Sequence, residues 1–146
     1  MKIIGFNIYK ILIERKNPVK DQAEIKSDLS VEDIKEEEIP ISDKKSLKID
    51  FSFGVDYRPD IARLEMKGSV LALEEKAEFK DILKDWKKKK LSAEFKIPLF
   101  NFILSKCNVK AIGLEDEMGL PIHIPFPQLS AERKAAAKED KPNYTR

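Results

Sequence analysis

His123 is the only imidazole in the chain, and the carboxylates Glu115, Asp116 and Glu117 stand a short way before it. A carboxylate beside an imidazole can hold a metal ion or relay a proton. The spacing here fits no zinc pattern, and no second histidine or partner cysteine exists to complete a ligand set. His123 therefore reads as a helix-end residue that hydrogen-bonds locally among prolines. Cys107, the only thiol, falls between Ile103 and Ala111 on an apolar stripe. A thiol so placed acts as a small hydrophobe and not as a nucleophile. The run Lys87, Lys88, Lys89 and Lys90 could contact phosphate, with Trp86 available to stack on a base. The same lysines stand where a helix dipole is negative, which gives them a structural reason to be there.

No Gly-rich phosphate loop, Ser–His–Asp set or paired metal motif is present. The expectation is a protein that is not an enzyme, with no catalytic residue, metal or cofactor. Lys plus Arg number 28 against 26 Asp plus Glu, so no global field points to nucleic acid. Charged residues reach 37%, mostly Lys and Glu, a surface style of proteins from hot environments. A lone cysteine suits a reducing compartment. No apolar run approaches the roughly 20 residues of a membrane span, so a cytoplasmic protein without membrane insertion is expected.

The elements that must position these residues follow from hydrophobic periodicity. Residues 3–13 alternate as a strand, but Ile4, Phe6 and Ile8 have one parity while Ile11 and Ile13 have the other. A phase change of one residue predicts a bulge near Tyr9 and Lys10. Residues 23–31 keep a period of two, after which Ile34 drifts off phase. That favours a second, exposed strand, although the acidic run Glu36-Glu37-Glu38 also suits the close of a short helix. Residues 47–57 alternate cleanly, Leu47, Ile49, Phe51, Phe53, Val55 and Tyr57 against polar partners, and 62–72 do the same after an Arg58-Pro59-Asp60 turn. These are two strands of a hairpin, with Gly68 as a candidate bulge.

The period then becomes helical. Phe79, Ile82, Leu83 and Trp86 form one stripe. Ser92 is placed to cap a second helix. Its stripe is Phe95, Leu99, Ile103, Cys107, Ala111, Leu114 and Met118, and Pro98 predicts a start or kink. Phe100, Phe102 and Leu104 widen that apolar surface, as a helix that meets more than its own sheet requires. One domain, 1–129, is expected, with 130–146 a frayed or mobile tail.

The segments Pro98-Leu99-Phe100-Asn101 and Gly119-Leu120-Pro121, with Phe126-Pro127-Gln128-Leu129 after an insert, resemble the SecB-type chaperone family over about residues 47–129. The run Leu120-Pro121-Ile122-His123-Ile124-Pro125-Phe126-Pro127 is more similar still to archaeal proteins of uncertain function. The resemblance implies an α+β fold, an antiparallel sheet of about four strands covered on one face by two C-terminal helices. It also implies a homo-oligomer, dimer or tetramer, that holds non-native polypeptide in apolar grooves and takes part in protein transport. The insert 122–125 and a mixed, basic tail depart from the bacterial pattern and put docking onto an export motor in doubt. Phe95, Phe100, Ile124 and Phe126 are the expected groove residues. Two alternatives stand beside this one: a nucleic-acid or ribosome-associated module using Lys87–Lys90 and the tail, and a structural subunit that only self-assembles.

Overall fold

The computed structural model describes residues 1–19, 22–39 and 45–129. Four strands come first, β1 (Lys2–Arg15), β2 (Glu24–Glu37), β3 (Lys45–Arg58) and β4 (Ala62–Glu74), followed by α1 (Lys76–Lys87) and α2 (Ala93–Glu117). All neighbours are antiparallel and the sheet order is β1-β4-β3-β2. The fold is therefore α+β. The predicted tail from Ser130 lies outside the described residues.

The β3–β4 hairpin forms the centre because its alternation is the most regular. Leu47, Ile49, Phe51, Phe53, Val55, Leu64, Met66, Val70 and Ala72 are completely buried on one face. Each such side chain stabilises by roughly 1.5–3 kcal/mol relative to exposure. The other face is wet and charged, with Arg63 bonded to Asp56 at 2.8 Å and Glu65 between Lys10 and Lys67.

Both phase changes seen in the edge strands are register shifts. β1 slips between Ile8 and Lys10, at the predicted position, and a further shift lies between Ile3 and Gly5. These two breaks let Ile3, Phe6, Ile8 and Ile13 all pack against the core and leave Ile4, Tyr9, Ile11 and Leu12 exposed. In β2 the shift lies between Val31 and Asp33, and it is what puts Ile34, only 4% exposed, back on the core side. The strand continues through Glu37, so no short helix closes it.

Two expectations need correction. Gly68 is not itself the bulge. It pairs with Ile8, next to the slip in β1, and a Cβ there would come within 2.3 Å of the Asn7 carbonyl oxygen and 2.8 Å of the Phe51 ring. Glycine is required by close approach, with the Phe51 ring lying over it. Pro98, moreover, does not start α2, which begins at Ala93 with the Ser92 hydroxyl accepting from the Phe95 amide at 3.4 Å. Pro98 lies in the second turn, where it leaves the Glu94 carbonyl without the amide it would otherwise bond, and the helix carries on past it.

α2 lies on the buried face of the sheet. Phe6 stacks on Phe51 with centroids 5.5 Å apart and meets Phe102 edge-on at 5.7 Å, tying β1, β3 and α2 together. The buried positions on α2 are Phe95, Leu99, Ile103, Cys107, Ala111 and Glu115, a strict spacing of four. At ~100° per residue such a stripe turns about 40° around the helix per step. The rod therefore presents different flanks to its neighbours along its length, and its last buried flank carries a carboxylate.

Candidate functional site

Glu115 is completely buried, and Tyr57 and His123 both bond to its carboxylate. The Tyr57 hydroxyl, at the end of β3, donates to Glu115 Oε2. His123 Nδ1 lies 2.8 Å from Oε1, and His123 Nε2 lies 2.8 Å from Asn108 Oδ1, about two turns back along the helix from Glu115. The ring meets Phe53 edge-on at 6.0 Å, and its side chain is 2% exposed. An amide can accept or donate, so Asn108 can serve either tautomer of the imidazole. Burial, reinforced by the neighbouring Glu115 carboxylate, holds the Tyr57 hydroxyl far above the usual phenol range, so it remains a donor.

The backbone brings these groups together by a Schellman ending. Leu120 N donates to the Glu115 carbonyl at 2.9 Å and Gly119 N to Asp116 at 3.3 Å, with Gly119 at φ +64°. Arg15 Nη1 caps the Met118 carbonyl at 3.0 Å. The chain then turns back as a proline-punctuated strap, residues 120–129. His123 is hydrogen-bonded locally, as the sequence suggests, and both of its nitrogens are spent on a fastening. Cys107 is buried on the α2 stripe, and burial pushes its thiol up to about 11, which keeps it protonated and unreactive. Among the described residues no group of three or more His, Cys, Asp or Glu side chains is arranged to hold a metal ion.

Access from solvent is found elsewhere, in two clefts beside α1 and α2. One, of about 230 Å³, runs along the free edge of the sheet. Its walls are Leu29 and Val31 of β2, Trp86 at the end of α1, Leu91 of the connection and Phe100 of α2, with Lys89 and Lys96 at the rim. Lys89 Nζ sits 3.8 Å from the Trp86 ring centroid, and Lys96 Nζ 5.2 Å from that of Phe100. α1 ends in the same Schellman pattern as α2, Lys90 N to the Asp85 carbonyl and Lys89 N to that of Trp86. Here a lysine at φ +56° occupies the place usually given to glycine. The second cleft, of about 540 Å³, is acidic. Glu74, Glu78, Asp81, Asp85 and Glu94 line it, and the Met1 ammonium lies 3.3 Å from Glu74.

The expected groove residues do not share one cleft. Phe100 lines the edge cleft, whereas Phe95, 7% exposed, lies under the acidic one. Ile124 is half-buried on the strap, and Phe126 beyond it is 53% exposed. Of the four lysines, Lys87 closes α1, Lys88 caps it and Lys89 lies over Trp86, so the run does not present one continuous face.

The chain is similar to a solved structure. A SecB-like chaperone from Mycobacterium tuberculosis, determined in complex with a peptide from an antitoxin, is 12% identical with a TM-score of 0.49. The match covers 88% of this chain and 87% of that one. No protein-family model and no curated protein matches the sequence. No described helix is long and apolar enough to cross a membrane.

Sequence reasoning sets Glu115 near His123 but not in the core, and it misses Asn108. The stripe was continued through Leu114 and Met118, both only half-buried, because a carboxylate is not expected in a core. The unbroken spacing of four from Phe95 to Glu115 was the available signal.

Proposed function

We propose that this protein binds extended, non-native polypeptide segments, as a chaperone of the holding type. The observation that carries the reading is an apolar cleft beside an unpaired strand edge. β2 is at the end of the sheet, and Leu29, Val31, Trp86, Leu91 and Phe100 open next to it. An extended segment can add its main chain to such an edge and set alternate side chains into the cleft, which needs no cofactor and no directional chemistry. Phe126 and Leu129, 53% and 80% exposed on the strap, offer further apolar surface.

The test is light scattering of an unrelated denatured client diluted into the purified protein. Delayed aggregation at a few-fold molar excess is expected, with a weaker delay for Phe100→Ser. The delay should persist in high salt, because apolar contacts dominate it. No delay at several-fold excess overturns the reading, and a delay abolished by salt favours phosphate-type binding by the lysines instead.

Self-assembly is a second reading with an observation of its own. Ile4, Tyr9, Ile11 and Leu12, between 42% and 59% exposed, line β1 at the opposite edge of the sheet. An apolar edge strand of this kind pairs readily with another chain.

A further inference from the structure

We infer that the edge cleft selects segments in which an aromatic or aliphatic residue is flanked by carboxylates. This deepens the polypeptide-holding reading and rests on it. Among the described residues, the charged side chains lining the cleft are Lys89 and Lys96, both cationic. Each is aimed by the ring beneath it, Lys89 by Trp86 and Lys96 by Phe100. A cation lying over an aromatic face is attracted by the ring quadrupole, so both ammonium groups are held at the rim of the apolar walls.

Among the described residues no carboxylate lies in ion-pair contact with either lysine. The nearby Asp33 is already engaged, its Oδ1 accepting from the Ile34 amide at 2.9 Å and from Trp86 Nε1 at 3.3 Å. The cleft thus offers two ammonium groups without an ion-pair partner among the described residues, beside its apolar walls. A segment whose own carboxylates reach them gains charge-assisted hydrogen bonds as its apolar residue is buried.

Two further features support this choice. Lys89 is held at φ +56°, a left-handed conformation that costs a residue with a side chain, and that turn places it over Trp86. The acidic cleft of Glu74, Glu78, Asp81, Asp85 and Glu94 has the opposite sign, so a carboxylate-flanked segment is repelled there and favoured at the lysine rim. A nucleic acid is the less favoured occupant. Base stacking needs a free ring face, and a lysine lies over one face of both Trp86 and Phe100 while both rings pack against the core.

Fluorescence anisotropy decides the matter, using labelled peptides with one apolar centre and Glu, Ser or Lys flanks. The Glu-flanked peptide should bind on the order of fivefold tighter than the Ser-flanked one at low salt, the scale that two rim charges supply. The double variant Lys89→Ser, Lys96→Ser should remove that preference, so that it binds Glu- and Ser-flanked peptides alike. Equal binding of Glu- and Ser-flanked peptides, or a preference that survives the double variant, overturns the inference while leaving polypeptide holding intact. Binding of none of the peptides overturns the holding reading itself. A single-stranded oligonucleotide that displaces the Glu-flanked peptide at lower concentration than the unlabelled peptide does would also overturn it, in favour of a phosphate-bearing polymer.

Discussion

A completely buried carboxylate is tolerated only where other groups solvate it, and Glu115 has Tyr57 on one oxygen and His123 on the other. Removing one partner strands the rest. Glu115→Ala leaves the Tyr57 hydroxyl and His123 Nδ1 without acceptors, and His123→Ala leaves Glu115 with Tyr57 alone. Each should cost about 3–5 kcal/mol, the range for breaking one member of a buried pair. The double variant should cost less than the sum of the singles by about 1–3 kcal/mol, because the second change removes a group already orphaned. Urea unfolding of the four proteins measures this. Additivity within a few tenths of a kcal/mol would mean the groups do not act as a unit. His123 itself was legible from the sequence as a local structural residue, on the poverty of ligands around it. The roles of Tyr57 and Asn108 were not, because the bond from Tyr57 to Glu115 joins residues 58 positions apart, and hydrophobic periodicity carries no such information.

The elements were easier to read than their ends. Alternation in β3 and β4 and the stripe on α1 marked their segments, and phase changes in β1 and β2 marked slips in register. Start and stop positions depend on single polar contacts, and for that reason Pro98 suggested a boundary one turn too late. Two glycines carry opposite burdens. At Gly119 the burden is conformational, φ +64° at the close of α2, with open space except for Arg15 Nη1 at 3.2 Å. Gly119→Ala should therefore cost about 1 kcal/mol, the left-handed penalty of a residue with a Cβ. At Gly68 the burden is steric, against the Asn7 backbone and the Phe51 ring. Gly68→Ala should cost about 3 kcal/mol or more, as overpacking does when the obstacle is main chain. Thermal melts check the order. A Gly68→Ala protein as stable as Gly119→Ala would show that the β1 backbone yields freely at its slip.

Taken whole, the sheet ends on each side in a strand whose outer edge has no strand partner among the described residues, and the two edges differ in character. The β2 edge opens on a cleft, while the β1 edge exposes Ile4, Tyr9, Ile11 and Leu12. If the β1 edge is where copies join, light scattering should give a multiple of the 16.8 kDa chain mass, and Ile11→Lys with Leu12→Lys should shift it to that of one chain. A wild-type protein that already runs as a single chain would leave this edge without a partner of its own kind. The order of strands followed by helices could be read from periodicity, and the α+β class from that order together with the SecB-type resemblance. The charge of the clefts could not, since it depends on which lysine and which glutamate come to face one another across α1. The strap also decides where the domain can be cut. A protease nick or a shortened clone that ends just past Gly119 would keep every strand and both helices yet discard the imidazole that solvates Glu115, so the smallest autonomous fragment has to extend past His123 even though no regular element lies there.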